Sequence, residues 1–377
     1  MQKPNTQKTK PKKIRYAVVG LGYFSQTSAL PAFVHAGKNS ELTALVSDDP
    51  EKLAKLGRKY KVKGLYSYDQ YELMLASGEV DAVYIALPND MHKEYAVRAA
   101  KAGAHVLCEK PMALTEKDCQ EMIRTAAEHR VRLMVAYRLH LDAGNLQAIE
   151  SIKSGKIGDA RFITSVFSMQ VKDENTRVRP EHGGGPVYDP GIYCINAARY
   201  LFQDEPVGVT AIASRKKGDP RFQDVDEMVS VILRFPRDRQ AAFTCSFGAA
   251  DLAEYTVVGT KGTLHLKQAF DNAFPETLEI TLDGKTRSRE FPEKDQVAAE
   301  FLYFSECILN GKDPEPSGQE GLADVRIIAA IDESLRTGKP VVIEPVPKRN
   351  RPSADMEISR PPADKPELIH AESPTRD

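Results

Sequence analysis

Two short stretches of the chain carry residue types that can hold or move a proton beside a ligand. The first is Glu109-Lys110-Pro111, directly after a strand-like run, His105 to Cys108. A lysine at the carboxyl end of a strand sets an ammonium where ligands of open α/β sheets sit. Its charge would favour the ionised form of a neighbouring acid, and it would also hold a substrate hydroxyl. Pro111 stiffens the backbone there, with either peptide isomer open to it, and Glu109 would orient Lys110 from beneath. A solvated Glu–Lys pair is the plain alternative. The second stretch is Gly183-Gly184-Gly185-Pro186-Val187-Tyr188-Asp189-Pro190-Gly191-Ile192-Tyr193. Its glycines give way to Asp189, an N-cap residue type, and to Pro190 at the first helical position. Asp189, Tyr193 and Asn196 then share a face at i, i+4 and i+7, apart from an apolar stripe of Ile192, Ile195 and Phe202. That polar face suits a substrate wall; the competing reading makes Asp189 a cap and Tyr193 a packed aromatic.

These groups need a scaffold, and the stretch Ile14 to Ser25 (Ile-Arg-Tyr-Ala-Val-Val-Gly-Leu-Gly-Tyr-Phe-Ser) announces one. A short apolar run ends in Gly20 and Gly22, and helix formers follow after Ser28. This is the form of a first strand, tight turn and helix of a dinucleotide-binding unit. Gly20 permits the turn, Gly22 lets backbone N–H groups approach a pyrophosphate, and the helix start adds partial positive charge. The third position is Ser25 rather than Gly or Ala. At the end of the second strand-like run, Ser47-Asp48-Asp49 falls where such a fold meets the adenosine ribose. An acid there favours NAD by repelling a 2′-phosphate. Ser47, Lys52 and Tyr68 point the other way, because together they would hold that phosphate through charge-assisted bonds. Asp49 also reads as the cap of a helix beginning at Pro50. Leu87-Pro88-Asn89 follows a buried run and lies at the same ligand edge; Asn89 would bond the cofactor ribose or carboxamide. His92 joins this cofactor set, with service to the backbone or to packing as its alternative.

From Ile14 to Ala136 strand-like and helical segments alternate, which predicts βαβ units and a parallel sheet covered on both faces. Past Tyr137 the grammar changes. One helix (Asn145 to Ser154) precedes long strand-like runs such as Ala160–Val171, Met228–Phe235 and Gln240–Phe247, and two late helices lie near Val297–Leu309 and Gly321–Arg336. The fold class is therefore α/β: an N-terminal Rossmann domain over 14–138 and a C-terminal α+β domain over 139–343 with a large, mostly antiparallel open sheet. Residues 1–13 read as a flexible start, and 344–377 as a Pro- and charge-rich tail, disordered or lying on the surface.

Composition narrows the function. With 377 residues, two domains are the natural division. A net charge of −1 leaves no global field for nucleic acid or an anionic membrane, and no apolar run has the length of a membrane span. The five cysteines are scattered without CxxC spacing, so neither zinc nor a disulfide framework is indicated. The first 13 residues carry five lysines and no apolar core of a signal, so a cytoplasmic location is the default.

Taken together, Gly20-Leu21-Gly22, Glu109-Lys110-Pro111 and the glycine run ending in Asp189 resemble the Gfo/Idh/MocA oxidoreductase family, most closely its glucose–fructose oxidoreductase branch. Ala-Leu-Val-Ser at 44–47, Asp-Ala-Val-Tyr-Ile at 81–85, Cys-Glu-Lys-Pro-Met-Ala at 108–113 and Tyr-Arg-Leu-His at 137–140 belong to the same set. The likeness runs from about Ile14 to Val342. Most of the family places a histidine where this chain has Tyr193; that branch has tyrosine. The resemblance implies Lys110 and Tyr193 as the catalytic pair, supported by Asp189. It implies a cofactor, NADP in preference to NAD, held by Gly20, Gly22, Tyr23, Phe24, Ser47, Lys52, Tyr68, Leu87, Pro88, Asn89, His92, Glu109, Lys110 and Arg138. Lys110, Arg138, Arg177, Arg179, Asp189 and Tyr193 would meet the substrate, with His140 also near the pocket edge. The implied reaction is oxidation of a sugar or polyol carbinol, such as an aldose to its lactone, or the reverse. No metal, nucleic acid or membrane enters, and a homo-oligomer, dimer or tetramer, is expected. Two rivals are a transhydrogenase with tightly bound NADP and a non-catalytic nucleotide-binding sensor.

Overall fold

The computed structural model describes residues 13–348 and 350–376, so the expectation for the first 12 residues lies outside the described ones. The alternating segments form a six-stranded sheet of β1 (Ile14–Val19), β2 (Ser40–Val46), β3 (Gly64–Tyr66), β4 (Ala82–Ile85), β5 (His105–Cys108) and β6 (Leu133–Val135). All neighbours pair in parallel, in the order 3-2-1-4-5-6. The order reverses between β1 and β4, which opens a crevice at their carboxyl ends. Helices α1 (Leu30–Ala36), α2 (Pro50–Tyr60), α3 (Tyr71–Ala76), α4 (His92–Lys101) and α5 (Glu116–Glu128) connect the strands. Local chemistry sets their starts. The Asp49 carboxylate accepts the N–H groups of Glu51 and Lys52 with Pro50 in the first turn, and Thr115 accepts that of Asp118. The first helix begins earlier than its apolar spacing suggests, as a wide π-helical turn over Ser25–Ala29 that leads into α1.

The second half contributes α6 (Ala143–Lys153), β7 (Ala160–Ser168), α7 (Ile192–Phe202), β8 (Gly208–Ser214), β9 (Met228–Phe235), β10 (Arg239–Ser246), β11 (Leu252–Gly259), β12 (Gly262–Lys267), β13 (Glu276–Leu282), β14 (Lys285–Phe291), α8 (Gln296–Leu309), α9 (Gly318–Thr337) and β15 (Val341–Val342). Its nine strands lie in the order 14-13-12-11-7-10-9-8-15, antiparallel except for the central parallel pair of β7 and β10. Strands such as β9 alternate buried and exposed positions, as a sheet with one covered face requires. Phe162, Ile212, Met228, Ile232 and Leu252 share the uncovered face by their pairing register and remain exposed.

Helix α8 follows the second sheet in sequence but packs on the first. Phe301 stacks among Tyr16, Phe33 and Tyr84 at ring-centre distances of 5.1, 4.4 and 5.2 Å. Asn39 donates to the Leu302 carbonyl at 3.0 Å. Burial of that one phenyl ring is worth about 1.5–3 kcal/mol. The described residues beyond Val342 run over the surface with one short helical turn at Ala354–Met356, and Ile343 and Val346 among them are buried. Among the described residues no helix is long and apolar enough to cross a membrane.

Candidate active site

Strand β5 delivers Lys110. The Glu109 N–H continues the ladder onto the Ile85 carbonyl at 3.0 Å, and the following Lys110–Pro111 bond is cis. The Lys110 ammonium lies 2.5 Å from Asp189 Oδ1 and 4.7 Å from the centre of the Tyr193 ring. The other oxygen of Asp189 accepts from Arg177 Nε. Burial disfavours the charge on Lys110, but Asp189, Tyr193 and Glu109 outweigh it and raise its pKa. Burial likewise opposes charge on Asp189, and Arg177 with Lys110 overcome it, holding the carboxyl well below the usual carboxylate range. The site is thus an ionised Arg–Asp–Lys bridge, stable only because each charge is paired.

Asp189 is not the N-cap that the Asp-Pro sequence suggests. The helical segment begins at Val187 with a π-helical turn through Gly191, and no side chain caps it. Inside that turn the carboxylate is free of backbone duty and faces Lys110 and Arg177 instead. Tyr193, one turn on, is a packed aromatic that also stands beside two cations. Its ring packs against Phe167 at 5.4 Å and Phe270 at 6.1 Å, while Lys110 and Arg138 flank it, the latter with Cζ 5.1 Å from the ring centre. Asn196 leaves the expected polar face. It is buried and donates to Glu320 Oε1 and Asp324 Oδ2, each at 2.9 Å. His140, also buried, lies 2.7 Å from Asn196 Oδ1 and 2.5 Å from Glu315 Oε2, away from the pocket edge.

Arg138 is likewise interior, 6% exposed, rather than at the edge. Its terminal nitrogens donate to the Phe270 carbonyl at 2.5 Å, the Asp271 carbonyl at 3.3 Å and the Gln296 side chain. Burial opposes its charge, but Tyr193, Asp271 and Glu300 raise its pKa. Beneath Lys110, Glu109 accepts the Tyr84 hydroxyl at 2.5 Å and is itself raised by burial. Glu300 from α8 is pushed well up by burial and by Glu109. Glu300 Oε1 and Arg138 Nε are buried without a hydrogen-bond partner. Gln296 and Glu300 carried no sequence signal, because each reaches the site only through tertiary packing.

The crevice side is built around the glycine turn. Gly20 has φ +93°, and a Cβ there would come within 2.4 Å of the Ala86 carbonyl oxygen. A Cβ on Gly22 would meet nothing within 4 Å, so open space lies beside the turn. Ser25, at the third fingerprint position, donates to the Gly20 carbonyl at 2.6 Å and fastens the turn. Tyr23 and Phe24 flank it half-exposed. Ser47 is buried and its oxygen accepts the Asp49 N–H at 3.2 Å, which leaves its proton for a ligand. The Asp48 carboxylate is turned aside to accept the Tyr68 N–H at 2.9 Å. Burial pushes the Tyr68 phenol up to about 12, so it remains a donor. Leu87 is buried and Pro88 half-exposed, and Asn89 donates across to the Gly183 carbonyl at 3.1 Å, which fastens the glycine run to the crevice.

His92 takes the second of its two readings, service to the backbone. His92 is fully buried with its ring nitrogens 2.8 Å from the Pro111 carbonyl and 2.9 Å from that of Leu87. It braces these loops from within and has no nitrogen left for a cofactor. Arg179 has an exposed side chain, and its carbonyl accepts the N–H groups of His182 and Gly184 and shapes the turn. The open cradle at Gly22, the free hydroxyl of Ser47 and the ammonium at the sheet edge fit a dinucleotide laid along the crevice.

Comparison with known proteins agrees with this geometry. Residues 14–137 match the Gfo/Idh/MocA oxidoreductase family with its NAD-binding Rossmann fold, and 145–265 match a C-terminal domain of that family. D-xylose 1-dehydrogenase (NADP(+)) of Haloarcula marismortui is 32% identical over 339 residues, covering 88% of this chain and 93% of its own. The crystal structure of aldose–aldose oxidoreductase from Caulobacter crescentus, complexed with glycerol, has a TM-score of 0.84 at 36% identity, over 88% of this chain and 100% of that one. Levoglucosan dehydrogenase, in complex with NADH and L-sorbose, shares the fold alone, with a TM-score of 0.78 at 20% identity over 90% of this chain and 100% of that one. With both halves of its fold matched in this way, the chain belongs to the Gfo/Idh/MocA family and is an NAD(P)-dependent oxidoreductase.

Proposed function

We propose that the protein oxidises the carbinol of a sugar or polyol, most naturally the anomeric hydroxyl of an aldose, with NADP as the preferred acceptor. The observation that carries this reading is the meeting of Lys110, Asp189 and Tyr193 at the carboxyl edge of the parallel sheet. When bound, the nicotinamide supplies the acceptor for the hydride that leaves the C–H of the carbinol. The residues of the chain supply everything else. Tyr193, as the phenolate, takes the O–H proton and becomes the neutral phenol; before that step Lys110 and Arg138 offset the negative charge on its oxygen. Asp189 and Arg177 hold Lys110 in place and offer oxygen and nitrogen partners to the neighbouring sugar hydroxyls. In the reverse direction the same tyrosine returns a proton to a carbonyl oxygen. The names of the xylose dehydrogenase and aldose–aldose oxidoreductase relatives support a sugar substrate.

NADP is favoured because Ser47 keeps a proton to donate, Lys52 stands in the first turn of α2, and Asp48 is engaged by Tyr68. A non-catalytic sensor would have no use for an ion-paired lysine against a tyrosine. The uncovered face of the nine-stranded sheet, with Ile212 71% and Ile232 49% exposed, supports a homo-oligomer through that face. Five buried, unpaired cysteines suit a cytoplasmic location. The test is a panel of aldoses and polyols assayed with NADP and with NAD for formation of the reduced nicotinamide. A sugar-dependent signal, larger with NADP, is expected; silence across the panel overturns the reading.

A further inference from the structure

The C-terminal segment is fastened to both sides of the crevice. It starts in the second half of the molecule, where Lys348 bonds Glu315 at 2.6 Å and Arg351 bonds Glu205 at 2.7 Å. It then passes α8, the Arg360 carbonyl accepting the Asp295 N–H at 3.0 Å. At Ile369 it reaches the glycine turn. The Ile369 N–H and carbonyl pair with the side-chain amide of Gln26, both at 2.8 Å. The same Gln26 nitrogen donates at 3.0 Å to the carbonyl of Leu21, between the two glycines. Next, His370 sits 2.7 Å from Asp49 and 3.1 Å from Glu51, at the start of α2, where the ribose edge lies. The chain then crosses over. The Lys172 N–H donates to the Pro374 carbonyl at 2.8 Å and the Arg376 N–H to the Gln170 carbonyl at 2.7 Å. The Arg376 guanidinium is 2.5 Å from Asp173, in the stretch that leads to Arg177.

The four residues after His370 span at most about 14 Å, so this crossing is a direct bridge from the adenosine edge to the substrate side. We propose that Ile369–Arg376 forms an outer wall of the dinucleotide cleft and slows the exchange of NADP and NADPH, an inference that rests on the reading of the cleft as an NADP site. A dinucleotide running from Ser47 past Gly22 to Lys110 lies inside this wall and leaves only when one end is unfastened. His370 and Arg376 have half-exposed side chains (54% and 50%), so the wall opens locally, without unfolding of the sheets. Linkage makes the effect mutual: bound NADP must hold the wall down as strongly as the wall holds NADP.

Hydrogen exchange on the full chain, with and without saturating NADPH, reads this directly. The amides of Ile369 and Arg376 are expected to exchange about 10-fold more slowly in its presence. Unchanged exchange overturns the proposal, and so does faster exchange, which would mean that the segment occupies the cofactor's place and is displaced by it. A full-length His370→Ala/Arg376→Ala variant provides the second measurement. Its release of NADPH, followed by stopped-flow fluorescence, should be about 10-fold faster than that of the parent; equal rates overturn the proposal. Absence of any NADPH binding by the parent overturns the cofactor reading itself, and is distinguishable because neither protein then gives a fluorescence signal.

Discussion

Lys110, just past the end of β5, and Asp189, in the helical turn before α7, stand 79 positions apart, yet their side chains meet at 2.5 Å. If the two halves separate, Lys110 loses the carboxylate that offsets its burial, whereas Asp189 keeps Arg177 from its own half. Assembly of the reactive group is therefore coupled to docking of the halves.

Tyr193→Phe keeps the ring and its packing on Phe167 and Phe270 and removes only the oxygen. Turnover should fall by at least ~10²-fold while NADPH binding, measured by fluorescence titration, stays close to that of the parent. Turnover near the parent's would remove Tyr193 from the mechanism.

Asp189→Asn should lower the melting temperature at neutral pH and leave a pH signature. The folded pKa of Asp189 lies below its ordinary value of about 3.9. The stabilisation it gives is complete above that value and is lost as the pH falls through the range beneath it. Melting curves of parent and variant should thus be separated at pH 7 and draw together in acid. A gap of constant size down to pH ~2 would show that the ion pair is not its source.

Lys52→Ala tests cofactor preference. A charge-assisted bond to the 2′-phosphate is worth roughly 1.5–3 kcal/mol, so NADP should weaken about 10- to 100-fold and NAD much less. Equal losses in the two titrations would exclude contact with that phosphate.

The two glycines of the turn should separate folding from binding. Gly22→Val points into open space and should leave the melting temperature close to the parent's while abolishing detectable NADPH binding. Gly20→Val meets the Ala86 carbonyl and demands φ near +93°, so it should lower the melting temperature by several degrees. If Gly22→Val binds NADPH normally, the dinucleotide does not pass that glycine.

What could be read from the residues depended on how local its cause is. The glycine turn, the Asp49 cap and the strand that runs into Lys110 depend on neighbours in sequence, and all were legible. The parallel sheet followed from the alternation of apolar runs and helices. Strand β14 (Lys-Thr-Arg-Ser-Arg-Glu-Phe) was missed, since an exposed edge strand has no buried face to imprint an apolar pattern. Asp189 was misread in part because Asp-Pro is a good cap in isolation, and only Lys110 and Arg177, brought in by the fold, outbid the backbone N–H groups for its carboxylate. Arg138 was expected at the pocket and is interior, because the carbonyls of Phe270 and Asp271, far away in sequence, satisfy its guanidinium. Gln26 gave no hint of its pairing with Ile369, 343 positions away.

Helix α8 has a consequence for how such a protein is made and remade. Phe301 and its neighbours seal the first sheet from the far end of the sequence. On the ribosome, the N-terminal half therefore emerges with the apolar groove around Tyr16 and Phe33 still open, and it must wait in that state for the C-terminal part to be synthesised. The same debt falls on any chimaera: a Rossmann half exchanged between relatives at residue 138 arrives without the helix that completes it, so a working graft has to carry residues 296–309 along with the sheet they cover.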